Sequence, residues 1–147
     1  MSRVKLFTIG FTKQNAETFF NKLKTAGVKQ LIDIRLNNVS QLAGFAKKDD
    51  LIYFLKELCG CNYKHILSLA PTQDLLDDYK KGKINWSEYV VRFNKLLHDR
   101  KVENIITREE LDNACLLCSE PTADKCHRRL VVEYLQEKLG GIEVRHL

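Results

Sequence analysis

The chain has 147 residues, of which 44% are hydrophobic and 29% charged, and this composition excludes a low-complexity or intrinsically disordered polymer. Its net charge of +5 and pI of about 8.9 make it mildly basic, just below the pI of about 9 that marks an obvious nucleic-acid-binding domain. Neither a secretory signal nor a long apolar membrane segment is visible. We therefore expect a cytoplasmic protein without a membrane partner, whose five cysteines are free thiols.

Short apolar runs and helical spacings alternate along the chain. The first half contains, in order, a strand at 4–9, a helix between Asn15 and Gly27, a strand at 31–34, a helix from Leu51 to Leu58 and a weak strand at 62–66. The second half contains a helix capped by Asn85 and Glu88, an ambiguous stretch at 102–113, a strand at 114–118, a helix closed by Gly140 and a strand at 142–145.

This alternation predicts an α/β fold with a mostly parallel central sheet of about four to five strands. The strands are apolar without alternation, which is typical of a sheet covered by helices on both faces. No internal repeat, linker or shift in composition divides the chain. We therefore expect one domain over residues 1–147, with a three-layer, Rossmann-like architecture.

Polar residues follow several of the predicted strands. In open α/β sheets, ligands bind beyond the carboxyl ends of the strands. The polar residues at these ends are Gly10 and Thr12, Asp33 and Arg35, His65, Cys118 and Glu120, and, at the start of the last long helix, Cys126, His127 and Arg128. Their convergence on one edge of the sheet predicts a shared polar pocket.

Asp33 interrupts an otherwise apolar strand, and a buried carboxylate is costly unless it is paired. Arg35, two residues further along, is its natural partner, and the pair fits either a structural clamp or a ligand-positioning group. His65 follows Tyr63 at strand spacing, so both side chains are expected on one side of the sheet. A hydrogen-bonded core histidine and a proton-transferring histidine both fit His65, and Gly10 fits either a turn glycine or a ligand contact.

The segment from Cys115 to Cys126 has the residue types of a metal site or a reactive thiol. Cys115 and Cys118 should point to opposite faces of a strand, so we predict no metal site. Cys126 is expected in the first turns of a helix capped by Thr122 or Asp124, and a helix N-terminus lowers the pKa of a thiol.

The same helix start suits an anion. Free backbone N–H groups and the Arg128 guanidinium are the groups that bind phosphate or carboxylate in proteins. Glu120 is then the carboxylate available to accept a proton or to orient His127.

These residues give the chain a family resemblance. It resembles a bacterial and archaeal family of domains of unknown function, numbered 488, through the segments Thr8-Ile9-Gly10-Phe11-Thr12, Asp33-Ile34-Arg35, Tyr63-Lys64-His65, Leu69-Ala70-Pro71-Thr72 and Leu117-Cys118-Ser119-Glu120 followed by Cys126-His127-Arg128. Many members of that family carry His where Phe11 stands here and Pro where Val39 stands. The resemblance implies an α/β fold and a polar pocket, and it implies no particular reaction.

Our leading hypothesis is an anion-recognising, enzymatic pocket for a small phosphate-bearing or carboxylate ligand, such as a nucleotide or a nucleic-acid component. The residues expected to bind the ligand are Gly10, Thr12, Asp33, Arg35 and Arg128, and those expected to transfer protons or to supply a thiol are Glu120, His65, His127, Cys118 and Cys126. The sequence does not identify a cofactor or an oligomeric state.

Two other functions remain open. A non-enzymatic nucleic-acid-binding module would use basic residues gathered on one face: Lys80, Lys81, Lys83, Arg92 and Lys95. A rhodanese-like sulfur-transfer or redox enzyme is suggested by Asp33-Ile34-Arg35 together with the thiol of Cys126.

Overall fold

A computed structural model describes residues 3–120 and 125–147. Within these residues, one parallel five-stranded sheet has the order β3-β2-β4-β1-β5. Its strands are β1 (Val4–Gly10), β2 (Gln30–Asp33), β3 (Asn62–His65), β4 (Ala114–Cys118) and β5 (Ile142–His146). The prediction of an α/β fold with a parallel central sheet is confirmed.

Helices cover both faces of this sheet. They are α1 (Ala16–Ala26), α2 (Lys48–Phe54), α3 (Gln73–Lys80), α4 (Trp86–Asp99), α5 (Arg108–Leu111) and α6 (His127–Leu139). On one face, apolar side chains of α1 and α2 pack with Cys115 and Leu117 of β4. On the other face, side chains of α3, α4 and α6 pack with Leu116 and Cys118. Cys115 and Cys118 therefore point to opposite faces, as predicted.

The predicted N-cap of α4 is present, but other helices differ from the prediction. Asn85 caps α4 in a capping box, in which its side chain accepts a hydrogen bond from the Glu88 backbone N–H at 2.8 Å. Helix α3 was not predicted, because Leu75 is its one buried residue and gives no periodic pattern. Helix α2 ends at Phe54 in a π-helical turn, and Leu58, expected on its buried face, is 50% exposed.

The register of the sheet places the ends of four strands at one level. Gly10 of β1 lies opposite Cys118 of β4, Leu117 of β4 lies opposite Asp33 of β2, and Asp33 lies opposite His65 of β3. The residues that follow these ends therefore meet at one edge, as the sequence predicted. In the described part of the chain, none of the helices combines the length and the apolar character needed to cross a membrane.

Candidate functional site

The centre of this edge is an ion pair between Asp33 and Arg35. Asp33 is fully buried and Arg35 is 3% exposed. The Arg35 side chain donates from Nε to Asp33 Oδ1 at 2.8 Å and from Nη2 to Oδ2 at 2.7 Å. This bidentate geometry orients the planar guanidinium, and the predicted pairing of the two residues is confirmed.

Tyr63 and Asn38 complete the hydrogen bonding of the ion pair. The Tyr63 hydroxyl donates to Asp33 Oδ2 at 2.6 Å and accepts from Asn38 Nδ2 at 2.9 Å. Burial, together with the neighbouring Asp33 carboxylate, raises the pKa of the Tyr63 hydroxyl, so that it stays protonated. Asn38 was not predicted, because a single buried amide in an irregular segment leaves no pattern in the sequence.

One nitrogen of the Arg35 guanidinium takes no part in the ion pair with Asp33. Its Nη1 is buried and has no hydrogen-bond partner among the described residues. The same guanidinium lies over the ring of Phe11, with 5.3 Å between its central carbon and the ring centroid. Arg35 therefore keeps donor capacity that the protein does not use.

Arg35 borders two adjoining cavities of about 250 and 580 Å³. Both are also lined by Asn37, Lys80 and Ser119. We call the two together the strand-end cleft. Its larger cavity lies within the range of about 300–1,000 Å³ that is typical of small-molecule sites.

The loop after β4 lies directly on the end of β1. A Cβ atom on Gly10 would be 1.5 Å from the carbonyl oxygen of Glu120 and 2.5 Å from Nη1 of Arg128. Thr12 N donates to Ser119 O at 3.1 Å and joins the two loops. The φ angle of Gly10 is not positive, so its backbone conformation does not require glycine. Glycine is required because the Glu120 backbone packs too closely to leave room for a side chain.

The buried side chain of Arg128 forms a hydrogen bond with the backbone of this loop. It is 1% exposed, and its Nη1 donates to the Glu120 carbonyl oxygen at 2.9 Å and lies 3.6 Å from Cys118 Sγ. Burial lowers the pKa of the guanidinium. The described walls of the cleft include Glu120 but not Arg128.

His127 borders the smaller cavity as a neutral imidazole. Its Nε2 lies 2.8 Å from the carbonyl oxygen of Ile34, which can only accept, so Nε2 carries the proton. Burial lowers the pKa of His127 to about 4. At neutral pH its Nδ1 therefore carries a lone pair.

His65 uses both of its ring nitrogens. Nε2 donates to the Arg35 carbonyl oxygen at 2.8 Å, and Nδ1 accepts from Asn38 Nδ2 at 3.2 Å. His65 and Tyr63 share one side of β3, as predicted. The imidazole thereby fixes the backbone that carries Arg35.

The cysteines depart from the prediction. Cys126 is the N-cap of α6 rather than part of its first turns, and the two residues predicted as caps, Thr122 and Asp124, lie outside the described residues. The Sγ atoms of Cys118 and Cys126 lie at disulfide-bonding distance, with 7.6 Å between the two Cα atoms, whereas the sequence predicted free thiols. The two sulfur atoms meet because the start of α6 returns over the end of β4, a feature of the tertiary fold.

The other cysteines are free, as predicted: Cys59, Cys61 and Cys115. Burial raises the pKa of Cys61 to about 11 and that of Cys115 well above its ordinary value. These two thiols are therefore protonated and unreactive at neutral pH.

Besides Arg35, the charged residues that border the cleft are Lys80 at both cavities, Lys13 at the larger cavity and Glu120 at the smaller cavity. Each of the three side chains is exposed. Within residues 3–120 and 125–147, no cluster of His, Cys, Asp or Glu side chains could hold a metal ion.

The basic residues expected on one face are partly neutralised. Arg92 pairs with Asp78 at 2.9 Å, and Lys95 pairs with Asp99 at 2.6 Å. Hydrogen bonding to Arg92 lowers the pKa of Asp78. A nucleic-acid-binding face built from these residues stays a prediction.

Comparison with known proteins identifies a family. No curated protein and no solved structure matches the chain. The model of one family, described as domain of unknown function DUF488, matches residues 15–135, which is more than half of the chain. The chain therefore belongs to the DUF488 family.

Proposed function

We propose that the strand-end cleft binds a ligand through a phosphate or carboxylate group, and that Arg35 receives this group. The observation that supports the proposal is that Arg35 lines both cavities and keeps a buried Nη1 without a hydrogen-bond partner among the described residues. A buried donor without a partner costs about 1–3 kcal/mol. An oxygen atom of the ligand would recover this free energy with a charge-assisted hydrogen bond.

The Asp33 carboxylate prepares Arg35 for this role. It holds Nε and Nη2 on one edge of the guanidinium, which fixes the plane of the group and leaves Nη1 for the ligand. Less side-chain entropy is then lost when the ligand binds. Lys80 and Lys13 border the cleft as exposed ammonium groups, so their contribution is to attract an anion rather than to orient it.

The proposal includes proton transfer at the smaller cavity. Glu120 borders this cavity and is exposed, so its carboxylate can accept a proton from a ligand hydroxyl or from water. His127 is neutral there and offers Nδ1 as a hydrogen-bond acceptor. We assign His65 to positioning Arg35, since both of its ring nitrogens are engaged. We assign Arg128 to holding the loop that carries Glu120.

The test is a titration with inorganic phosphate and with acetate, followed by calorimetry and by NMR. Arg35→Lys keeps a cation beside Asp33 but removes the second edge of the guanidinium. We expect this variant to bind at least about tenfold more weakly, equivalent to about 1.4 kcal/mol. Lys95→Ala is the control, because Lys95 pairs with Asp99 outside the cleft. Equal affinity of wild type and Arg35→Lys, or no binding of either anion, contradicts the proposal.

A thiol–disulfide activity is the second candidate function. It is favoured by the pair of Cys118 and Cys126, whose sulfur atoms lie at disulfide-bonding distance, and by the position of Cys126 in the wall of the smaller cavity. In this reaction a substrate dithiol attacks the disulfide and becomes a disulfide itself, while both cysteines are released as thiols. After reduction, we expect Cys126 to be alkylated faster than a free model thiol at pH 7, with Cys115 unmodified. An equal or slower rate at Cys126 contradicts this function.

A further inference from the structure

Gln14 adds a second unsatisfied group to the strand-end cleft. It lines the larger cavity, and its Nε2 donates to the carbonyl oxygen of Gly10. Because that carbonyl can only accept, the orientation of the amide is fixed and Oε1 is the other terminal atom. Oε1 is buried and has no hydrogen-bond partner among the described residues. Two residues that line the larger cavity therefore keep a buried, unpaired polar atom: Gln14 an acceptor and Arg35 a donor.

These two groups restrict the chemistry of the ligand. A fully ionised phosphate or carboxylate offers acceptors only, so it satisfies Arg35 Nη1 and leaves Gln14 Oε1 unpaired. The ligand that suits both carries a donor, such as a hydroxyl or an amine, in addition to its anionic group. Asn37 and Ser40 border the same cavity and are further partners for hydroxyl groups.

The larger cavity also has an aromatic wall. Phe11 and Phe45 line it. The Phe45 ring is held by Phe19 and Phe20, with centroid distances of 5.1 and 5.7 Å. Leu42 borders the same cavity with 97% of its surface exposed. This combination of rings and an uncovered leucine suits a flat heterocycle, because bases stack on aromatic side chains without requiring a particular sequence.

We propose that the ligand of the cleft is a nucleoside phosphate, with its base in the larger cavity against Phe11 and Phe45 and its phosphate at Arg35. The inference rests on the proposed function, since it assigns the rest of the ligand whose anionic group Arg35 receives. The hydroxyl groups of the sugar, or the amine of the base, would satisfy Gln14 Oε1. The same unit occurs as a free nucleotide and at the end of a nucleic-acid strand, and the experiment separates these two sources.

The experiment compares the affinities of inorganic phosphate, ribose 5-phosphate, AMP and UMP by calorimetry. We expect at least one nucleotide to bind about tenfold or more tightly than ribose 5-phosphate, because ribose 5-phosphate has no base to stack on the aromatic side chains. Phe11→Leu should weaken nucleotide binding about tenfold more than it weakens phosphate binding, since the Phe11 ring also contacts Arg35. Phe54→Leu, at a phenylalanine of the same aromatic cluster outside the cleft, is the matched control.

Gln14→Met should weaken nucleotide binding and leave phosphate binding unchanged. Its matched control is Gln136→Met, since Gln136 Nε2 also donates to a backbone carbonyl, that of Ile142, outside the cleft. If phosphate binds through Arg35 but neither nucleotide binds more tightly than ribose 5-phosphate, the inference is wrong and the anion site stands. If no anion binds, both the proposed anion site and the inference of a nucleoside phosphate are wrong.

A short single-stranded oligonucleotide is the last arm. Tighter binding of the oligonucleotide than of AMP and UMP, weakened equally by Phe11→Leu, supports the same recognition with a nucleic-acid strand as its source. Binding of the oligonucleotide that is equal to or weaker than that of AMP and UMP identifies the free nucleotide as the source of the ligand. Oligonucleotide binding that is unaffected by both Phe11→Leu and Gln14→Met excludes the nucleic-acid strand as the source of the ligand, because the strand would then lie elsewhere on the protein.

Discussion

Two buried arginines lie at the carboxyl edge of the sheet, and their surroundings differ. Arg35 pairs with a carboxylate, borders both cavities and keeps Nη1 unpaired. Arg128 donates to the backbone carbonyl of Glu120 and lies outside the described walls of the cleft. A guanidinium oriented by a carboxylate can serve a ligand, whereas one that bonds to the main chain shapes the loop around the ligand.

The largest effect is expected from removing the charge of Arg35. Arg35→Met leaves the Asp33 carboxylate buried without a cation, which should lower the free energy of unfolding by about 3–5 kcal/mol. Chemical denaturation measures this loss. The double variant Asp33→Leu, Arg35→Met should recover part of it, because no charge is then left buried. A loss below about 1 kcal/mol in Arg35→Met would show that the carboxylate does not depend on this partner.

On the Arg128 side, the tightest constraint is Gly10. Gly10→Ala places a methyl group against the Glu120 carbonyl oxygen and should lower the free energy of unfolding by about 3 kcal/mol, or the Tm by about 10 °C. Gly82→Ala is the control, since Gly82 has a φ of 74° and open space around it. It should cost about 1 kcal/mol from backbone conformation alone. Equal losses in the two variants would mean that the loop after β4 does not lie on Gly10.

His127 makes the stability of the protein depend on pH. Its folded-state pKa of about 4 lies below the unfolded value of 6.5, so the unfolded chain binds more protons between these values. The stabilisation is complete above pH 6.5 and is lost as the pH falls towards 4. The shift amounts to about 3 kcal/mol, reduced to about 2 kcal/mol by the partial exposure of the ring.

This pH dependence is measured as the difference between wild type and His127→Gln, which can keep a donor to the Ile34 carbonyl. We expect the two unfolding free energies to converge as the pH is lowered from 6.5 to 4. Parallel curves over this range would show that His127 is protonated in the folded protein.

The smallest effect is expected at Tyr63. Tyr63→Phe removes one donor from Asp33 while Arg35 keeps its hydrogen bonds to that carboxylate, so the cost should be about 1 kcal/mol. Tyr53→Phe, at a tyrosine that is 61% exposed, should leave stability unchanged. A loss as large as that of Arg35→Met would mean that Tyr63, rather than Arg35, holds the Asp33 carboxylate.

Local sequence patterns were sufficient to predict the sheet and one half of the site. Apolar runs predict the strands, the Asn85 cap predicts the start of α4, and a carboxylate inside an apolar strand predicts the Asp33–Arg35 pair. These features depend on residues that are close together in the chain, so their physical cause is visible in the sequence.

The remaining features of the site depend largely on contacts between segments that are far apart in the chain. The packing of Glu120 on Gly10 and the approach of Cys126 to Cys118 follow from the path of the chain over the edge of the sheet. The unpaired Oε1 of Gln14 is a local feature, set by the turn that directs the Gln14 amide to the carbonyl of Gly10, and it depends on backbone geometry rather than on residue spacing. No spacing rule records such contacts, so they became visible only with the fold.

The most direct measurement is a crystal structure of the protein soaked with phosphate at saturating concentration. We predict an anion in the strand-end cleft with an oxygen about 3 Å from Arg35 Nη1, while Arg128 keeps its hydrogen bond to the Glu120 carbonyl oxygen. An anion bound by Arg128, or found only on surface lysines with the cleft filled by water, would contradict this prediction.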